Sequence, residues 1–200
     1  MRKYFFVDTE TTGLSDTCEA WQIGILVTDE NGNWLTSFES TCKPQAEFEA
    51  KAFEMSGLTQ EQLDSFQTPA ELLTKVLNFI KENAGDDRWD NTIVCHNVAY
   101  DIPILTRMFK QYLGSDEFRK YIQHGDICTM QALRMLKVAG RWPYKNCRLD
   151  TVHQILGTEA EAHTALADAK ATSWLFFEIQ RNLRKNRLQK FIDRLKRLFK

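Results

Sequence analysis

Near its amino terminus the chain passes through four apolar residues, Tyr4-Phe5-Phe6-Val7, and then sets two acids one residue apart, Asp8 and Glu10. In an extended strand residues i and i+2 share a face, so both carboxylates stand side by side where a buried strand ends. At about 4 Å and an effective dielectric near 20, two such charges repel by roughly 4 kcal/mol. Any fold for this chain must therefore bring that strand end to water, to a nearby Arg or Lys, or to a bound cation. The pair alone leaves all three open.

Further along, 22–28 reads as a second strand. Asp29-Glu30-Asn31-Gly32-Asn33 reads as a turn, with Asn31-Gly32 suited to the positive φ angles of a type I′ hairpin. Residues 34–41 alternate apolar and polar, as a half-buried third strand does. Helical signals follow. Thr59-Gln60-Glu61-Gln62 and Thr68-Pro69-Ala70-Glu71 both fit a capping box, the second with Pro at the first helical position. Leu72, Val76, Leu77 and Ile80 then recur at helical spacing. Residues 92–95 predict a short buried strand, 99–113 a helix, 125–128 a fifth strand, and 129–138, 148–156 and 164–180 further helices. Three antiparallel strands followed by βα alternation imply an α/β fold, a mixed five-stranded sheet flanked by helices. No internal repeat, low-complexity tract or linker divides the body.

The 200 residues suit one well-buried domain. A hydrophobic fraction of 43% and a charged fraction of 26% are those of an ordinary soluble globular chain. There is no run of 18 apolar residues, and Met1-Arg2-Lys3 leads into only four before Asp8, which argues against a membrane span or a signal peptide. Cys18, Cys42, Cys95, Cys128 and Cys147 include no C-x-x-C pair and read as reduced thiols of a cytoplasmic protein. The net charge of −1 hides a division, because 181–200 carries nine Lys or Arg against Asp193 alone, leaving 17 basic and 26 acidic side chains in the first 180 residues. So acidic a body argues against binding long duplexes through its general surface. A local site or the tail would have to handle nucleic acid.

Two more stretches put chemistry-bearing residues at helix starts: His96-Asn97-Val98-Ala99-Tyr100-Asp101 after the fourth strand, and His163-Thr164-Ala165-Leu166-Ala167-Asp168 at the last helix. Each has an ordinary account on its own. Asp101 would complement the helix macrodipole or cap a turn, while His163 and Asp168 would be solvated surface groups. Taken together and in this order, D-x-E, H-N-x-x-[FY]-D and H-x-x-x-x-D resemble the three motifs of the DEDDh (DnaQ-like) 3′-5′ exonuclease family, to which the proofreading exonuclease subunit of bacterial replicative polymerase belongs. The resemblance spans residues 3 to 178. It extends to Thr11-Thr12-Gly13-Leu14 after the first pair and to Met55-Ser56-Gly57-Leu58-Thr59 in place of a His-Gly-Ile-Thr segment.

The resemblance implies a ribonuclease H-like fold and a metal-dependent exonuclease. It would hydrolyse single-stranded nucleic acid from the 3′ end, DNA favoured and RNA possible, and release nucleoside 5′-monophosphates. Asp8, Glu10 and Asp168 would hold one of two ions directly, with Asp8 shared by the second and Asp101 acting mostly through bound water. Carboxylates without a thiol suit Mg²⁺ or Mn²⁺, and two such ions can supply both a nucleophile and neutralisation of transition-state charge. His163 would be the general base, since imidazole is available as a base near neutral pH. Thr164, where the other subgroup of the family has Tyr, puts the chain with the His subgroup. Thr9, Thr11 and Leu14 match positions that contact the terminal nucleotide, Leu14 as a wedge against its base. His96 and Asn97 either touch the scissile region or cap the strand-to-helix turn. Two departures are Ser56, where relatives often carry His, and Ala20-Trp21-Gln22, which lacks an acid common at the second strand. The other function class is a non-catalytic nucleic-acid-binding or polymerase-associated subunit on the same fold, which would have no need of all five catalytic positions.

The expected organisation is an exonuclease domain over 1–180 and a basic amphipathic helix or tail over 181–200. In the tail Leu188, Phe191, Ile192, Leu195, Leu198 and Phe199 recur at helical spacing. That stripe would pack on its own domain or a second copy, contact nucleic acid, or dock on a partner such as a polymerase. Phe176, Phe177, Ile179 and Leu183 read as core of the last helix, and Trp142-Pro143-Tyr144-Lys145 as a packed loop or a groove lining.

Overall fold

The computed structural model describes residues 1–123, 125–159 and 162–198, with side chains through residue 184. The first strand, β1 (Lys3–Thr11), pairs antiparallel with β2 (Ala20–Asp29), which pairs antiparallel with β3 (Trp34–Thr41). On its other side β1 pairs parallel with β4 (Asn91–Cys95), and β4 with β5 (Ile127–Cys128). The order β3-β2-β1-β4-β5 is the expected mixed sheet, antiparallel first and parallel after. Seven α-helices flank it among the described residues: α1 (Ala50–Ser56), α2 (Gln60–Ser65), α3 (Pro69–Asn83), α4 (Val98–Leu113), α5 (Thr129–Val138), α6 (Leu149–Leu156) and α7 (Ala165–Leu198). None of them is long and apolar enough to cross a membrane.

Both capping boxes form. Thr59 and Thr68 each accept a bond from the amide three residues on, and Gln62 and Glu71 return one to the cap amide. Helix α1 carried no comparable sequence signal, since Glu49 makes no side-chain cap and none of its residues is buried. The β2–β3 turn also departs from expectation. Gly32 has φ +91°, but Asn31 is not in the positive-φ region that a type I′ turn demands of both central residues. Instead the Asp29 carboxylate organises the loop, accepting from the Asn31 and Asn33 amides at 2.8 and 2.9 Å and from Asn33 Nδ2 at 2.7 Å. The last helix does not stop near residue 180. It contains neither Gly nor Pro and runs unbroken to Leu198. The tail's apolar stripe lies outside the described side chains, and Phe199 outside the described residues.

Strand alternation divides β1 between two cores. Phe5 and Val7 face Leu72, Leu73 and Val76 of α3 and Ile102, Leu105 and Met108 of α4, while Tyr4 and Phe6 face Ala169 and Phe176 of α7. Tyr4 and Phe176 meet edge to face with ring centroids 4.7 Å apart. The even-numbered row that packs on α7 continues into Asp8 and Glu10. The odd-numbered row continues into Thr9, toward α4.

Candidate active site

Asp8 lies opposite Gly24 of β2. A Cβ on Gly24 would stand 2.2 Å from the carbonyl carbon of Ala165 and 2.3 Å from the Leu166 amide nitrogen, so only glycine lets the first turn of α7 seat against the sheet. Two strand side chains satisfy the amides exposed there: Gln22 Oε1 accepts from Ala165 N at 3.1 Å and Glu39 Oε1 from Leu166 N at 3.0 Å. Gln22 thus caps the helix that carries Asp168. One oxygen from each of Asp8, Glu10 and Asp168 consequently lies within 4.8 Å of the others.

The electrostatics of this cluster are those of acids held together against repulsion. Burial, then the charges of Asp101, Asp168 and Glu10, hold the Asp8 carboxyl well above the usual carboxylate range. Burial and Asp168 push Glu10 up to about 7, with His163 opposing. Burial also raises Asp168, although its bond from His153 works the other way. The charges described as acting on Asp8 are all acidic, so the ion-pair reading of the strand end is not the one realised. The donor set consists of carboxylate oxygens, half-buried and mutually repelling. It fits a hard divalent cation, whose charge would offset that repulsion.

Asp101 enters from the other face. It is buried at the first turn of α4 and accepts from Thr9 N at 3.2 Å and Thr9 Oγ1 at 2.8 Å. Burial lifts it to about 7 against the effect of those bonds. It stands outside the three-carboxylate group but close enough to act on Asp8. His163 occupies the left-handed region at φ +67°, with its amide 3.4 Å from Asp168 Oδ1. Its ring is 54% exposed, with Nε2 4.0 Å from Asp150 Oδ1.

A groove of about 420 Å³ opens beside the cluster, walled by Thr9, Glu10, Thr11, Leu14, Tyr100 and His163 among others. Leu14 is 81% exposed at its edge. The Tyr100 hydroxyl donates to Gly13 O at 2.6 Å, and the Thr11 hydroxyl, 2.7 Å from that phenol oxygen and 2.9 Å from the Gly13 carbonyl, gives its one hydrogen to either. Ser56, also on the wall, donates to Phe53 O at 2.7 Å and accepts from Leu58 N at 3.2 Å. His96 has both ring nitrogens engaged inside the protein, Nδ1 with Thr129 Oγ1 at 2.9 Å and Nε2 with Cys147 O at 2.8 Å. Asn97 makes no side-chain cap and sits at φ +140°. The two non-glycine residues described with positive φ, Asn97 and His163, are both motif positions, and each such residue costs about 1–3 kcal/mol. Sequence reasoning did not single out Tyr100, Arg148 and Glu49 on the groove wall, or His153 behind Asp168. Only Tyr100, inside the second motif, left a signal there.

A mixed sheet whose central strand ends in carboxylates, met by an acid from the helix laid across it, defines a ribonuclease H-like nuclease fold. Residues 5–176 match the family model described as Exonuclease (RNase T), and the chain belongs to this DnaQ-like exonuclease family. It is 30% identical over 184 residues to the PolC-type DNA polymerase III of Thermotoga maritima, a match covering 91% of this chain and 12% of that polymerase. It is 28% identical over 172 residues to the uncharacterized exonuclease CP81 of Escherichia phage 186, covering 84% of this chain and 82% of the phage protein. In fold it is similar to E. coli exonuclease I in complex with a dT13 oligonucleotide, with TM-score 0.74 and 18% identity over 96% of this chain and 43% of that one. The zinc-bound form of an exonuclease I complex with single-stranded DNA is similar at TM-score 0.74 and 19% identity, over 96% and 42%. The chain therefore spans a small part of the polymerases and under half of exonuclease I.

Proposed function

We propose that this protein is a divalent-metal-dependent 3′→5′ exonuclease that removes nucleoside 5′-monophosphates from single-stranded ends, DNA favoured over RNA. The observation that carries the reading is the convergence of Asp8, Glu10 and Asp168 beside an open groove. In this reading those three carboxylates hold the metal, Asp101 supports it from the α4 side, and the groove receives the terminal nucleotide against Leu14. Bound Mg²⁺ or Mn²⁺ ions would polarise the phosphodiester and acidify the attacking water. His163, on the groove wall with Glu10, takes the proton from that water. Thr9 and Thr11 shape the strand end that meets the nucleotide, and Tyr100 holds the loop around Gly13 that leads to Leu14. His96 serves as a tether between the end of β4 and the α5–α6 region, with Asn97 setting the turn into α4. The same reading gives catalysis to residues 1–180 and an auxiliary contact with nucleic acid, a polymerase or a second copy to 181–200. Exonuclease I was solved with single-stranded DNA and, in one form, with zinc, which supports the substrate class and the use of a divalent ion.

The test is a time course with Mg²⁺ on 5′-labelled single-stranded DNA and RNA of matched sequence, with Asp8→Ala in parallel. A ladder shortening from the 3′ end and absent in the variant is expected, and the DNA-to-RNA rate ratio assigns the sugar. Binding without cleavage, dependent on 181–200, would move the assignment to a non-catalytic subunit.

A further inference from the structure

Behind the cluster, α6 carries a histidine that the family motifs do not include. His153 is 2% exposed, with Nε2 2.7 Å from Asp168 Oδ1 and Nδ1 2.8 Å from Thr158 Oγ1. An ionised carboxylate only accepts, so Nε2 bears the hydrogen of the first bond, and in the neutral ring Nδ1 accepts from the Thr158 hydroxyl. Thr158 is itself held to the same residue, because its amide donates to the His153 carbonyl at 3.0 Å just past the end of α6. Val152 beside it packs with Leu133, Leu136, Ala171 and Leu175, which fixes α6 on α7. The imidazole is thus locked from behind and aimed at one oxygen. The second bond described for the Asp168 carboxylate, from the His163 amide, falls on that same Oδ1.

We infer that His153 is a positioning residue for the metal centre: its Nε2–H fixes the Asp168 carboxylate so that the other oxygen is offered to a divalent cation together with Asp8 and Glu10. The inference rests on the metal-dependent reading above. Imidazole suits the task because it can orient a carboxylate without a fixed positive charge, whereas a Lys or Arg at this place would compete with the cation for Asp168. Partners of this kind behind metal ligands typically change metal affinity or activity by about 10–100-fold when removed.

The experiment uses the full chain with His153→Leu and His153→Gln, the latter placing an amide donor near the position of Nε2. Mn²⁺ binding is read from the EPR signal of free Mn²⁺, and kcat and KM are read on a single-stranded oligonucleotide. Asp8→Ala serves as the control for binding outside the cluster. His153→Leu is expected to weaken Mn²⁺ binding about tenfold or more and to lower kcat at fixed Mn²⁺ without changing KM, and His153→Gln to recover most of both. Unchanged Mn²⁺ affinity in a folded His153→Leu protein would overturn the inference, as would equal loss in both variants. Should His153→Leu fail to fold, Thr158→Val is expected to weaken Mn²⁺ binding in the same direction by a smaller factor, and unchanged affinity there overturns it. If the unaltered protein binds no more Mn²⁺ than Asp8→Ala, the metal reading falls and this inference with it. If it binds more, the fate of His153 is decided separately.

Discussion

Glu19, 3% exposed at the entry to β2, offers Oε2 to the amides of Gln45 and Ala46 at 2.7 and 3.2 Å, and Oε1 to Tyr112 and Gln111 at 2.5 and 3.3 Å. Asp8, on the neighbouring strand β1, is surrounded by Asp101, Asp168 and Glu10. Asp8 lies within the sheet and is half-buried, while Glu19 stands just before β2 and is buried. Donors from two separate elements meet Glu19, so its burial ties loop 43–46 to α4. The Asp8 cluster is met by like charge, so its burial stores a repulsion that a cation relieves. A buried acid points to function here when its neighbours fail to satisfy it.

Four measurements test this contrast. The largest effect is expected for Asp8→Ala, which should lower kcat by on the order of 10²–10³, the range for losing one electrostatic stabiliser of the transition state. Thermal melting of the metal-free variant should show no loss of stability, since a repelling charge has gone. For Glu19→Leu the pattern inverts. Four donors lose their acceptor, which should cost on the order of 3 kcal/mol in urea unfolding while leaving turnover per folded molecule unchanged. If Glu19→Leu instead abolishes turnover in folded protein, the contrast fails.

The third test is pH. Glu10 and Asp101 have folded-state pKa values raised to about 7 from ordinary carboxylate values. Such groups favour the folded state fully below the unfolded pKa, about 4, and that advantage is lost as pH rises through about 7. In chelator the melting temperature should therefore fall from about pH 4 to about pH 7, as set by these values, and Mg²⁺ should restore it at the upper end. A flat profile would mean the cluster is not strained. The smallest effect is expected for Tyr100→Phe, which removes the bonds to Thr11 and Gly13 and should cost about 1 kcal/mol of stability. It should also raise KM for the oligonucleotide more than it lowers kcat.

The parts of the molecule readable from sequence are those encoded locally. Short apolar runs gave the buried strands and period-2 alternation the third, Thr59 and Thr68 announced their helices, and the i, i+2 spacing of Asp8 and Glu10 put both on one face. The misjudged turn at Asn31-Gly32 shows a dipeptide rule overridden by one neighbour, Asp29, whose carboxylate gathers the loop amides. Helix α1 buries nothing and so wrote no periodicity into the sequence. The last helix, expected over 164–180, runs on because a helix ends at a change of backbone preference, and no Gly or Pro occurs there. His153 lay beyond reach for another reason: its meaning depends on α6 docking against α7, a contact between elements that no spacing along the chain records.

Gly24 bears on how relatives of this protein should be read. With a methyl group at that position, the Ala165–Leu166 backbone would have to retreat and take Asp168 with it, while every acid and histidine of the three motifs stayed in the sequence. A copy silenced in this way would look fully competent to anyone checking the five motif residues. Competence in this architecture is therefore a property of clearance as well as of chemistry, and the position to inspect before trusting an intact set of motifs is one that carries no side chain at all.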